Sequence, residues 1–262
     1  MMILSISIVF ALLVTIGLPV LAGVWINKHL KVTWQVITLG ALGYFIVQAL
    51  FTLLYSGFAF LMKIETSQPL VDIDNLFHLV ISIFITALLG MTLRWAGMKY
   101  LKMPLINLEA AYGIGLGFGG IESITRVGLP LLMTFFTMVR GINSQTSHLE
   151  PEIMAQLNEL WKVSPWVPLA GSFERIAALV MHITITILVL EYFTSNNKLW
   201  LGAAVGLEVV INALILGLVY LGLPSVWLIP IAMLVTYGNL VLLHRLNAFK
   251  FSKPTPQSDT SA

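Results

Sequence analysis

A few residues able to ionise or coordinate stand inside long apolar runs of this sequence: Glu122 with Arg126, then Glu174, Arg175 and His182, then Glu208 with the amide Asn212. Each charge held in hydrocarbon costs about 2.5–3.5 kcal/mol even on the mildest scale. Their clustering on three consecutive runs therefore points to one shared buried site, in which opposite charges offset each other's desolvation. Glu122 and Arg126 are four residues apart, as are Glu208 and Asn212, and Arg175 and His182 are seven apart, so each pair shares a helix face. The chemistry open to such a set is hydrolysis. Glu122 is the candidate base that deprotonates water, with the Arg126 charge offsetting its burial, and Asn212 can donate to an oxyanion. His182, Glu208 and Asn212 are candidate ligands of a divalent metal, zinc being suited to imidazole and carboxylate. Glu174 and Arg175 are expected to support the site from behind. Ion pairs that merely fix helix register are the competing reading of the Glu–Arg pairs.

Seven apolar runs must position these groups: Met2–Trp25, Trp34–Met62, Leu76–Trp95, Ala110–Met138, Leu169–Phe193, Leu199–Leu221 and Val226–Leu243. A membrane span needs about 20 mostly apolar residues, and backbone groups in lipid must be satisfied within the segment, so each run is expected to be a helix. The composition agrees. Of 262 residues 58% are hydrophobic and only 10% charged, with a mean hydropathy of +0.92. Soluble domains carry about 25% charged residues. The fold class is therefore all-α, a polytopic helical bundle of about seven spans. With 14 basic and 12 acidic residues there is no basic surface for nucleic acid. The absence of cysteine removes disulfides, thiolate metal sites and cysteine nucleophiles.

Positive residues accumulate on the cytoplasmic side of membrane proteins. Lys28, Lys31, Arg94, Lys99, Lys102, Lys198, Arg245, Lys250 and Lys253 fall on one side of the seven-span arrangement, and Lys63, Arg140 and Lys162 on the other. That distribution predicts a plasma-membrane protein with an outside N-terminus and a cytoplasmic C-terminus. Counting residues from the span ends, Glu122, His182 and Asn212 all come near the middle or outer half of the bilayer. Residues 1–251 form the transmembrane domain, with the site in 108–222, and the polar tail 252–262 is expected to be a disordered cytoplasmic segment. Between the fourth and fifth runs, Ile153, Leu157, Leu160 and Trp161 recur at helical spacing after Glu150–Pro151, predicting a short helix on the outer membrane surface.

The fourth run opens on Gly113, Gly115, Gly117, Gly119 and Gly120, directly before Glu122, and carries Pro130, expected to kink it. Such glycines let a neighbouring backbone or a substrate approach closely. The segments GIGLGFGGIESITR (113–126), FERIAALVMHI (173–183) and GLEVVINALI (206–215) together resemble the YhfC family of intramembrane metalloproteases. That family in turn resembles the group of CAAX prenyl endopeptidases and bacteriocin-processing enzymes. The resemblance implies a divalent metal, a membrane-associated protein or peptide substrate, and roles for Glu122, Arg126, His182 and Asn212 in the family's motifs. Four positions depart from the pattern. Glu208 sits where the third motif usually has a histidine, Phe118 where many such sequences have a histidine, Ala178 where the wider group has a phenylalanine four residues before its histidine, and Ile121 replaces a first glutamate of the wider group. Two other functions use the same parts: a proton- or ion-coupled transporter built on the buried Glu/His/Arg cluster, and a non-catalytic membrane scaffold.

Overall fold

The computed structural model describes residues 2–61, 76–100, 106–143 and 151–250. Among them every regular element is helical. Helix α1 (Met2–Leu12) runs through a π turn (Leu13–Gly17) into α2 (Leu18–His29), and α3 (Trp34–Leu61) and α4 (Leu76–Tyr100) follow. Helix α5 (Leu108–Ser123) runs through a second π turn (Ile124–Gly128) into α6 (Leu129–Asn143). Then come α7 (Pro151–Lys162), α8 (Trp166–Ser195), α9 (Leu199–Tyr220) and α10 (Leu228–Arg245). The expected tail at 252–262 lies outside the described residues.

Among the described residues six helical stretches are long and apolar enough to cross a membrane, and they coincide with six of the seven runs. The remaining run is the helix through α5 and α6, whose apolar character is diluted by its glycines, Glu122 and Arg126. Leu21, Leu53 and Leu234 each leave 68–69% of their surface outside the bundle. Large apolar side chains turned outward on several helices suit a surface wetted by lipid rather than water. The chain is a multi-pass helical membrane protein.

Helix α8 is the centre of the bundle. Two thirds (67%) of its apolar window is buried, against 17–33% for the other five spans. It packs on α5, α9, α10, α1 and α4, while α3 covers the far side of α5 and α4 bridges α3 to α9. Helix ends follow local chemistry. Asn107 caps α5 by accepting the Ala110 N–H at 2.8 Å. Asn196 closes α8 in the left-handed conformation, φ 53°.

The two π turns lie against each other, and proline explains part of the arrangement. Pro19 has no N–H to give the Thr15 carbonyl four residues earlier, and that carbonyl accepts the Ser123 hydroxyl at 3.0 Å instead. Pro130 follows the second π turn, so the expected distortion of that span is taken up as a widened turn in a helix that continues to Asn143. The expected connecting helix forms as α7, with Leu160 and Trp161 packed on the Leu4, Ile8 and Met138 cluster.

Candidate functional site

The glycine stretch of α5 is where three helices come closest. A methyl group on Gly117 would lie 1.9 Å from the Ile37 carbonyl oxygen of α3, and one on Gly40 would lie 2.1 Å from the Ile114 oxygen of α5. On the opposite face, a methyl on Gly115 would meet the Ile183 Cα at 2.7 Å, and one on Gly119 would meet the His182 ring at 2.8 Å. Hydrogen in place of a side chain thus lets α8 lie directly on α5 and brings His182 against Glu122.

His182 Nε2 stands 2.7 Å from Glu122 Oε2, with the imidazole side chain only 3% exposed. The other carboxylate oxygen of Glu122 accepts from Arg126 Nη1 at 3.2 Å and from Arg175 Nη1 at 3.3 Å. Arg175 also clasps Glu174 through Nε and Nη2, a bidentate pair of adjacent residues. The two arginines differ in setting: Arg175 is 10% exposed and Arg126 is 51% exposed. Arg175 is therefore the buried counter-charge of Glu122, whereas Arg126, on the π turn, is half exposed.

Every site residue expected from the sequence borders a single cavity of about 270 Å³: Glu122, Arg126, Glu174, Arg175, His182, Glu208 and Asn212. That volume holds several water molecules, and polar partners are at hand on its walls. Tyr44 and Gln48 of α3 and Ser82 and Thr86 of α4 complete its polar lining, on helices where the sequence shows no charge at mid-span.

One residue of the centre was read wrongly from the sequence. Arg94 was counted among the positive residues of a cytoplasmic connection, but α4 continues to Tyr100 and the Arg94 side chain is fully enclosed. Its Nη2 lies 2.6 Å from His182 Nδ1 and its Nη1 3.4 Å from Glu208 Oε2. Its guanidinium carbon lies 4.0 Å from the centre of the Phe118 ring, a cation–π contact. Gly90, one turn earlier, gives it room, since a methyl there would lie 2.9 Å from Nη1. Gly90 four residues before Arg94, inside an apolar run, was the available signal.

The placement of Arg94 decides what His182 can bind. A guanidinium only donates, so His182 Nδ1 accepts, and the ring hydrogen resides on Nε2 and points to Glu122. No lone pair of His182 is then left for a metal ion, and Glu208 accepts from the same guanidinium through Oε2 at 3.4 Å. Among the described residues no group of three or more His, Asp or Glu is disposed to hold a metal. Although His182, Glu208 and Asn212 border one cavity, as placed they do not fit a divalent metal ion.

Comparison with known proteins gives one family. The family model for YhfC intramembrane metalloprotease matches residues 10–233, which includes every site residue named above. No curated protein and no solved structure matches the chain significantly. The family's description implies a bilayer environment, a peptide substrate and a divalent metal. From the span through α1 and α2 to the start of α10, the chain belongs to the YhfC intramembrane metalloprotease family.

Proposed function

We propose that the protein is an intramembrane endopeptidase that hydrolyses a peptide bond of a membrane-associated protein or peptide, with Glu122 activating water. The observation that carries this reading is the 2.7 Å contact of Glu122 with His182 on the wall of a cavity large enough for water. A water in that cavity within reach of Glu122 loses a proton to the carboxylate as its oxygen attacks the scissile carbonyl. The His182 Nε2–H holds the carboxylate in place. Arg126 and the Asn212 amide face the same space and supply donors for the oxyanion that develops on the carbonyl oxygen. Glu122 then returns its proton to the leaving amine. Arg175, clamped by Glu174, keeps Glu122 charged and oriented. The zinc expected from the sequence is not part of this proposal, because both ring nitrogens of His182, the one histidine among its expected ligands, are engaged by Arg94 and Glu122.

A proton relay is the weaker reading. The chain of contacts Glu122–His182–Arg94–Glu208 passes through a guanidinium, which does not release its proton in proteins. The charge distribution still favours an outside N-terminus, since the enclosure of Arg94 removes only one of the nine residues counted as cytoplasmic.

The test is cleavage in proteoliposomes. Purified protein is reconstituted with a library of transmembrane peptides, and new peptide termini are read by mass spectrometry for wild type and Glu122→Gln. Products formed by wild type and reduced by about 10²–10⁴-fold in the variant are expected for loss of a general base. Equal cleavage by both, or none by wild type across the library, overturns the proposal.

A further inference from the structure

We propose that Arg94 fills the place of a metal ion in this centre, so that the chain's buried site is closed by a guanidinium and takes no divalent cation. Three observations converge. First, Arg94 bridges the two side chains a metal would bridge: Nη2 to His182 Nδ1 at 2.6 Å and Nη1 to Glu208 Oε2 at 3.4 Å. Second, the position is built for it. Gly90 clears the space beside Nη1, and the Phe118 ring lies 4.0 Å from the guanidinium carbon, offering a π face rather than a lone pair. Third, the charges close without a metal. Three carboxylates, Glu122, Glu174 and Glu208, face three guanidiniums, Arg94, Arg126 and Arg175. A divalent ion added to this balanced set would leave two uncompensated positive charges in a low-dielectric site.

Arg94 is a positioning residue. By donating to Nδ1 it fixes the imidazole tautomer whose Nε2–H faces Glu122, and by donating to Glu208 it gives that buried carboxylate a partner without a metal. Its consequence for catalysis rests on the peptidase reading, but its occupancy of the metal position does not.

The test is metal binding by the full chain in metal-free detergent buffer. Elemental analysis is combined with cobalt titration, read by visible d–d absorption, for wild type, Arg94→Ala and His182→Ala. Wild type is expected to hold well under one divalent ion per chain and to show no cobalt band. Arg94→Ala frees Nδ1 and Glu208, and is expected to bind cobalt at least tenfold more tightly than wild type. Added guanidinium, which refills the vacated position, should reverse that gain. Stoichiometric metal in wild type that disappears in His182→Ala overturns the proposal. So does an Arg94→Ala protein that folds and gains no affinity. Should Arg94→Ala fail to fold, the wild-type metal content and the His182 tautomer read by ¹⁵N NMR decide instead, a hydrogen on Nδ1 being the refuting result. A metal-free wild type that cleaves nothing refutes the peptidase reading alone, and a metal-loaded one that cleaves refutes only the Arg94 assignment.

Discussion

Arg94 Nη2 donates to His182 Nδ1 across 2.6 Å, although 88 residues separate the two in the chain. The contact depends on a planar fork, because the same guanidinium serves His182, Glu208 and the Phe118 face at once. Lysine keeps the charge but not the fork. Arg94→Lys is therefore expected to destabilise the protein by about 2–4 kcal/mol, the cost of a disturbed buried pair. Thermal unfolding in detergent checks this, and an unchanged midpoint would show that the fork geometry is not used.

Glycine substitutions separate close approach from helix propensity. Gly119→Ala places a methyl 2.8 Å from the His182 ring, so the imidazole must leave Glu122 or α8 must retreat from α5. Lower stability and lost cleavage are expected together. At Gly206 nothing lies within 4 Å, and Gly206→Ala is expected to be neutral or to gain up to about 1 kcal/mol. Parallel unfolding curves of the two variants test the contrast, and equal effects would refute it.

The two arginines that share Glu122 are not equivalent. Replacing Arg175 with Met leaves Glu174 and Glu122 without their buried partner and should cost about 3–5 kcal/mol. Arg126, half exposed, should contribute no more than about 1 kcal/mol to stability. If Arg126 donates to the oxyanion, Arg126→Met will lower the cleavage rate with little change in the unfolding midpoint. A large drop in the midpoint for Arg126→Met would reverse this ranking.

Ser123→Ala tests the joint between the π turns. It removes the hydroxyl that donates to the Thr15 carbonyl at 3.0 Å, and should cost about 1–3 kcal/mol if that buried acceptor finds no other donor. Hydrogen exchange should then accelerate at residues 13–17 before it does elsewhere in the chain. Uniform acceleration would mean that the joint is no weaker than the rest.

Much of this architecture is written in the residue pattern. Apolar runs of span length place the helices, and residues such as Glu122, His182 and Glu208 stand out because lipid makes each of them costly. The spacing of Glu122 to Arg126 gave the shared face on which the two pair at 3.2 Å. Arg94 was hard to read for a physical reason: next to Trp95 and Lys99, near the end of a run, a buried arginine and an interfacial one look alike apart from the weak signal of Gly90 one turn earlier. The partner helices are what decide between them. The π turns at Thr15 and Thr125 were equally hidden, since a widened turn keeps the apolar pattern on both sides. The engagement of His182 at both nitrogens could not be read from spacing either, because it joins residues from three helices.

The order of synthesis gives the enclosed arginine a further meaning. Both of its polar partners, His182 and Glu208, emerge after it, 88 and 114 residues later. At the usual pace of translation that interval is on the order of ten seconds. During it α4 carries a charge whose two hydrogen-bonding partners have not yet been made. The nascent helix is therefore expected to stay in the wet, protein-lined environment of the insertion machinery until α8 and α9 arrive, so that the last helices of the site release the earlier ones into lipid. Chains truncated before α8 should crosslink persistently to that machinery, and prompt release into lipid would refute this order.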